Sequence, residues 1–242
     1  MSKKNGLNTR LYVMGRDLSG DANSLDSIGY TQADLETTAL NQDAPSRIVG
    51  LVDGTVTVNG FFDNASGAIH DVFSSNSGNL PTADQIVTIP LGSAIGDDAL
   101  GLVSKEAEYN ISRASGSAIG VTASFASTEG IKPEFAEMLT AFDDTHSSAT
   151  NGTAIDNGAS SANGASGYCH WFALSSGTVV VKIQHSADNA SWSDLITFTS
   201  TGTSGVDTAE RGSASGTVNR YVRVATTGTF SNAQIAVAFA RL

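Results

Sequence analysis

Apolar and polar residues alternate over several short runs of this chain, the period of a strand with one face in a core and the other in water. In Thr55-Val56-Thr57-Val58-Asn59 the two valines share a face. Gln85-Ile86-Val87-Thr88-Ile89, closed by Pro90, is a second run. A third, Val103 to Ile111, sets Ala107, Tyr109 and Ile111 on one side and Glu106, Glu108 and Asn110 on the other. After a turn at Ala114-Ser115-Gly116-Ser117 a fourth run, Ile119 to Phe125, turns Val121, Ala123 and Phe125 inward. The short connection predicts an antiparallel hairpin. Two segments carry helical spacing instead. Pro133 suits a first turn, with Phe135, Met138, Leu139 and Phe142 at i, i+3, i+4 and i+7. Ser66 to Ser74 packs Ile69, Val72 and Phe73, with a serine available as cap.

Toward the C-terminus the alternation returns. Val179, Val181 and Ile183 precede a small polar turn at Ser186–Ser191; Trp192, Leu195, Ile196 and Phe198 follow, then Arg220–Val224, a turn at Thr227–Thr229, and Ile235, Val237 and Phe239. Short strands between turn signals predict an antiparallel sandwich or jelly roll. Residues 18–46 break the pattern. This stretch is long for a loop, and its scattered Leu18, Leu25, Ile28, Tyr30, Leu35 and Leu40 are not residues a free loop exposes. Either another copy covers it or it folds back on its own sheet. The fold class expected is all-β with one or two short helices: a β-barrel or sandwich domain followed by a C-terminal antiparallel sandwich.

Charge divides the 242 residues. Of the net −11, all lies in residues 1–145, with 19 acids against 8 bases, while residues 146–242 balance at 5 and 5. From Thr145 to Gly167 the chain is almost wholly Ser, Thr, Ala, Asn and Gly, a composition that buries too little surface to offset its ordering entropy. The expected organisation is therefore a domain at 1–145, a flexible linker at 146–167 and a second domain at 168–242. A chain this acidic is a poor candidate for neutralising phosphates. One cysteine, Cys169, excludes an internal disulfide framework and a multi-cysteine zinc site. No apolar run is long enough to span a bilayer, and the two lysines near the N-terminus have no apolar segment behind them, so no membrane insertion or signal peptide is expected.

Catalytic motifs are missing: no GxSxG, GxGxxG, Walker lysine loop or HExxH occurs. His170 beside Cys169 is read as part of a half-buried aromatic segment. The pairs Asp97/Asp98 and Asp143/Asp144 are adjacent and so diverge, which fits loop acids better than a general acid/base pair. No enzyme activity, cofactor or metal is expected.

The segment Lys4-Asn5-Gly6-Leu7-Asn8-Thr9-Arg10-Leu11-Tyr12-Val13-Met14-Gly15-Arg16-Asp17-Leu18-Ser19-Gly20-Asp21 resembles the start of major tail proteins (tail tube proteins) of long-tailed bacteriophages. The similarity continues through Arg47-Ile48-Val49-Gly50-Leu51-Val52-Asp53-Gly54 to Phe61-Phe62. In the second half Ser186-Ala187-Asp188-Asn189, Trp192 and Asn219–Val224 resemble the β-sandwich module often appended to those proteins. The resemblance implies a virion protein of non-contractile, siphovirus-like tails, assembled in the host cytoplasm. Copies of such a protein, usually six, close into rings that stack around the path of the genome. The implied partners are other copies, a tape measure protein, terminator and tip proteins, and double-stranded DNA passing without specific binding. An acidic lining would let phosphates slide, and Asp53, Glu106 and Glu108 are the candidate wall residues. Leu25, Ile28, Tyr30, Leu35 and Leu40 become candidates for an inter-subunit or inter-ring loop, and residues 168–242 an outer decoration. The alternative is an extracellular adhesin or carbohydrate-binding β-sandwich protein, which would want exposed aromatics.

Overall fold

The computed structural model describes residues 6, 8–74, 80–198 and 207–242. Its elements in chain order are β1 (Tyr12–Val13), β2 (Arg16–Asp17), β3 (Ala22–Glu36), β4 (Arg47–Phe61), α1 (Ile69–Phe73), β5 (Gln85–Pro90), β6 (Asp98–Ser112), β7 (Gly120–Ser127), β8 (Glu134–Met138), β9 (Thr145–His146), β10 (Ile155–Asp156), β11 (Ala165–Ala173), β12 (Ser176–Ser186), β13 (Ser193–Thr197), β14 (Thr208–Ala214), β15 (Tyr221–Ser231) and β16 (Ala233–Arg241). The chain is nearly all β and its sheets are antiparallel, as the alternating runs predicted. No helix among the described residues is long and apolar enough to cross a membrane.

Two compact units form, and neither is a continuous stretch. One comprises Met1–Gly20, Gln85–Gly101 and Glu134–Leu242; the other comprises Asp21–Asp84 and Leu102–Pro133. This grouping cuts across the expected boundaries at 1–145, 146–167 and 168–242. Backbone pairing is the reason: β1 pairs β5 through Tyr12 and Thr88, and β8 pairs β16 through Met138 and Ala238. Residues 146–167 are not a flexible linker either. His146 pairs Ala233, Ile155 pairs Val222, and single bridges join Asn151 to Ala225 and Ser161 to Val218. Sparse in apolar side chains, the segment satisfies its backbone against neighbouring strands instead.

In the first unit, strands ordered β14-β11-β16-β8 face a second sheet ordered β10-β15-β12-β13. Cys169, Trp171, Val181, Ile183, Ile196, Phe198, Val222, Val224, Val237 and Phe239 fill the space between, with Trp171 and Phe198 edge to face at 6.1 Å. The helix expected after Pro133 is absent. Strand β8 stands there, with Glu134, Ala136 and Met138 buried and Phe135 exposed. The 3.6-residue stripe was a coincidence of four apolar positions, and pairing of β8 on both edges, with β6 and β16, overrides it.

The second unit is a sheet ordered β3-β4-β7-β6, of which Leu102–Ser112 of β6 belongs here. Helix α1 packs on its apolar face, and Phe73 meets Phe125 at 5.3 Å and Tyr109 at 6.4 Å. Burying side chains as large as Phe73 and Phe125 stabilises this small unit by about 1.5–3 kcal/mol each. No serine caps the helix; Ala68 holds the cap position, and the Asp21 carboxylate accepts the Ile69 N–H at 3.0 Å.

Candidate functional site

The two faces of the β3-β4-β7-β6 sheet differ sharply. Val56, Val58, Val121, Ala123 and Phe125 point to the α1 side and are buried. On the opposite face Asp26 stands across from Thr57, Ser24 from Asn59, Asn59 from Thr122 and Asn110 from Thr122. Hydrogen bonds run across the strands: the Asn59 amide donates to Asp26 at 2.6 Å and accepts from the Thr122 hydroxyl at 2.8 Å. At the other side Glu108 accepts from the Asn110 amide and, at 3.5 Å, from the Ser124 hydroxyl. Asp53, exposed on β4, accepts from the Ser127 hydroxyl at 3.1 Å. Lys105 pairs with Ala126 on this polar side, and its ammonium is tied to Asp84 at 2.8 Å. The result is a polar, net acidic surface of hydroxyls, amides and carboxylates.

Glu106 and Glu108 do not share this surface. Glu106 pairs Phe125 and Glu108 pairs Ser124, so Ala107 is a bulge, and the two glutamates occupy successive ladder positions with opposite directions. Glu108 joins the polar face. Glu106 turns to the apolar face, where it is only 6% exposed and neither carboxylate oxygen has a hydrogen-bond partner among the described residues. Burial pushes its carboxyl up to about 8. Tyr109 lies on the same side; burial and the nearby Glu106 charge raise its hydroxyl, which bonds His70 Nδ1 at 2.8 Å. Of the three candidate wall acids, the structure therefore brings Asp53 and Glu108 to one face and removes Glu106.

Residues 18–46 are not a loop. Most form β3, paired along β4 from Ala22–Gly60 to Glu36–Arg47 with three irregularities. Strand β7 covers β4 only from Thr55 to Phe61. Beyond it, Gly29–Glu36 and Arg47–Gly54 pair, among the described residues, only with each other, a two-stranded arm of a kind marginally stable in water. Tyr30, Leu35 and Leu40 are exposed on it, and Ile28 sits at its root beside the bulge between Asp26 and Gly29. Leu25 differs from these, being half-buried opposite Val58. The arm also exposes Ile48, Val49 (72%) and Leu51 (89%), which no alternation argument singled out. Their signal was the apolar run after Arg47 with no partner pattern around it.

Residues with catalytic potential are held in structural roles. His170 is fully buried, accepting the Gly15 N–H at 3.2 Å and bonded to Thr88 Oγ1 at 2.8 Å; burial lowers it to about 3, so its ring is neutral. Burial also raises the Cys169 thiol. Arg10 grips Asp143 with both terminal nitrogens, at 2.7 and 2.8 Å. A buried cluster that the sequence did not reveal joins Glu134 to Arg211 bidentately, at 3.0 and 2.6 Å, and to the hydroxyls of Tyr168 and Ser166. Burial opposes ionisation of Glu134, but these hydrogen bonds outweigh it and hold the carboxyl below its ordinary range. Among the described residues no three His, Cys, Asp or Glu side chains converge on a metal-sized site.

No family model matches the chain, and no curated protein does. Solved structures that align with the chain at low identity come from tail and injection machines. One is the sheath/tube terminator of an extracellular contractile injection system, at 10% identity over 56% of this chain and 97% of the other, with a TM-score of 0.45. Another is a chain from the tail of an empty GTA particle of C6 symmetry, at 13% identity over 55% and 98%, with a TM-score of 0.40. The SPP1 Dit protein, from the adsorption apparatus of a phage infecting Gram-positive hosts, aligns at 10% identity over 95% and 98%, with a TM-score of 0.37.

Proposed function

We propose that this chain is a structural, non-enzymatic subunit of a phage-type tail tube, and that copies of it close into rings whose bore is lined by the polar face of the β3-β4-β7-β6 sheet. The observation that carries this reading is the β3–β4 arm, an apolar two-stranded projection that needs a covering surface from another copy. The sequence resemblance to major tail proteins, spread over nearly the whole chain, supports the same reading.

Barrel geometry supports a ring of about six. The sheet offers four strands per copy. Twenty-four strands spaced ~4.8 Å and tilted ~40° close a barrel about 48 Å across, which leaves a bore of about 35 Å once inward side chains are counted. Four copies would leave only about 20 Å, no clearance for a duplex about 20 Å wide. A wall presenting Asp26, Asp53 and Glu108, with Lys105 already neutralised by Asp84, repels phosphates weakly and gives DNA no base-edge or cationic grip. The tail of a virion, built in the host cytoplasm, is the setting, with tape measure, terminator and tip proteins as further partners.

A glycan-binding reading finds less support. Trp171 is buried in the sandwich core, and the guanidinium of Arg223 covers one face of the half-buried Trp192 ring at 4.1 Å, so neither offers an open sugar platform. Sedimentation and negative-stain microscopy of the purified chain test the proposal. Rings or hollow tubes are expected; a monomer at every concentration that binds glycans would overturn it.

A further inference from the structure

The outward face of the β10-β15-β12-β13 sheet carries a guanidinium held in one orientation with no carboxylate against it among the described residues. Val181, Ile183, Val222 and Val224 point into the sandwich core, so Lys182, Gln184 and Arg223 point out. Gln184 stands opposite Arg223 on one side and opposite Asp194 on the other. The second pairing depends on a bulge: Ile183 faces Ile196, Leu195 is the extra residue, and Asp194 takes the place Leu195 would hold in an unbroken ladder. The Lys182 ammonium donates to Asp194 Oδ2 at 2.5 Å, and the Gln184 amide donates to Oδ1 at 2.8 Å. With its nitrogen so engaged, Gln184 turns its carbonyl oxygen to Arg223 and accepts from Nε at 3.1 Å and Nη2 at 2.9 Å. Trp192 covers one face of the guanidinium at 4.1 Å. Arg10, Arg211 and Arg220 each bond a carboxylate, and Arg241 bonds backbone carbonyls. Arg223 bonds neither among the described residues, and burial draws its guanidinium below the usual arginine range.

We infer that the Nη1–Nη2 edge of Arg223 binds the carboxylate of an acidic sugar. Gln184 occupies the Nε–Nη2 edge, which leaves the end of the guanidinium with two N–H donors spaced for the two oxygens of an oxyanion. Gln184 and Trp192 fix the fork before any ligand arrives, so little side-chain entropy is lost on binding. Flanking charges choose the oxyanion. Lys182 is neutralised by Asp194 and Arg220 by Asp156, so these five side chains with Arg223 sum to one positive charge. That suits one carboxylate and falls short of the several cations in line that a run of phosphates requires. The surroundings choose what carries the carboxylate. None of the exposed large apolar residues lies on β10, β12, β13 or β15, whereas a protein partner would want an apolar centre to its contact. A small hydrophilic ligand has no such need. Recognition here is by charge and not by stacking, so the covered ring of Trp192 is no obstacle. The inference concerns the sandwich unit and stands apart from the ring reading.

Saturation-transfer NMR on the full chain tests the assignment, since it reads weak ligands on monomers and on large assemblies alike. One charge-assisted fork at an exposed site supports a dissociation constant on the order of 1 mM. Methyl β-glucuronide should bind in that range, and methyl β-glucoside, which lacks only the carboxylate, at least tenfold more weakly. Arg223→Lys keeps the charge and removes the fork, and should also cost at least tenfold at an unchanged unfolding midpoint. Gln184→Met keeps the guanidinium and frees its orientation, and should cost less than Arg223→Lys. The comparison of the two sugars on the parent chain needs no variant: equal binding of both overturns the inference, as does glucuronide binding unchanged in Arg223→Lys. Dimethyl phosphate binding more tightly than the glucuronide would overturn the choice of carboxylate, and acetate binding as tightly as the glucuronide would reduce the site to an adventitious ion only. None of these results bears on whether copies form rings, which sedimentation reads separately.

Discussion

Glu106 makes the unit that carries the arm sensitive to alkali. Its carboxyl titrates at about 8 in the folded chain against 4.5 when solvated, because it is buried opposite Phe125 with neither oxygen hydrogen-bonded among the described residues. The folded state therefore holds a proton that the unfolded state has lost throughout the interval between 4.5 and about 8. Stability is fully present below 4.5, falls as the pH rises, and reaches its floor above 8. At about 1.4 kcal/mol per tenfold change in proton concentration, the penalty is capped at about 5 kcal/mol, with ~3 kcal/mol present by pH 7. Glu106→Gln keeps the shape of the protonated acid and removes the titration. Hydrogen exchange of the Tyr109–Ile111 and Val121–Phe125 amides, corrected for intrinsic rates, reads this unit apart from the sandwich. Protection in the variant should match the parent near pH 4 and exceed it by about two orders of magnitude at pH 7. Equal protection at both pH values, or a variant less protected at pH 8, would refute the argument.

Three other perturbations follow from the same geometry. Leu51→Asp, at the most exposed large apolar residue in the strands of the arm, should leave the unfolding midpoint unchanged and raise the assembly concentration at least tenfold by sedimentation, since burying a leucine is worth about 2 kcal/mol. Asp26→Lys with Asp53→Lys and Glu108→Lys should still give tubes, but ones that retain DNA at low salt and release it as salt rises; tubes that never retain DNA would place that face away from the bore. Gly15→Ala should cost the sandwich unit about 2–4 kcal/mol in thermal unfolding, because φ is +79° and a Cβ would meet the Thr208 backbone nitrogen at 2.1 Å.

The strands that alternate cleanly were legible. The runs at 55–59, 85–89 and 103–111 fall within observed strands, and the run at 119–125 does so from Gly120 onward, because one wet and one dry face leave a period of two in the sequence. What escaped was structure held by the backbone. Residues 146–167 pair through N–H and C=O groups that leave no mark on side-chain pattern, and three irregularities in the β3–β4 ladder break the period of two along β3, although Leu25, Tyr30 and Leu35 stand opposite Val58, Gly54 and Ile48 on one face. The bulge at Ala107 cost the most for the candidate site: one extra residue sent Glu106 inward while leaving Glu108 on the acidic face, and nothing in Lys105-Glu106-Ala107-Glu108 announces it. On the arm, the scattered Ile28, Tyr30, Leu35 and Leu40 pointed to a surface awaiting a partner, and its other half, Ile48, Val49 and Leu51, lay hidden in a run that reads equally well as core.

A cryo-electron map of the assembled chain would show which face of the β3-β4-β7-β6 sheet lines the bore. Rings of about six copies around a bore of about 35 Å are expected, with Asp26, Asp53 and Glu108 facing the axis and Glu106 turned away from it. A bore lined by lysine and arginine, or particles with no axial channel, would contradict it.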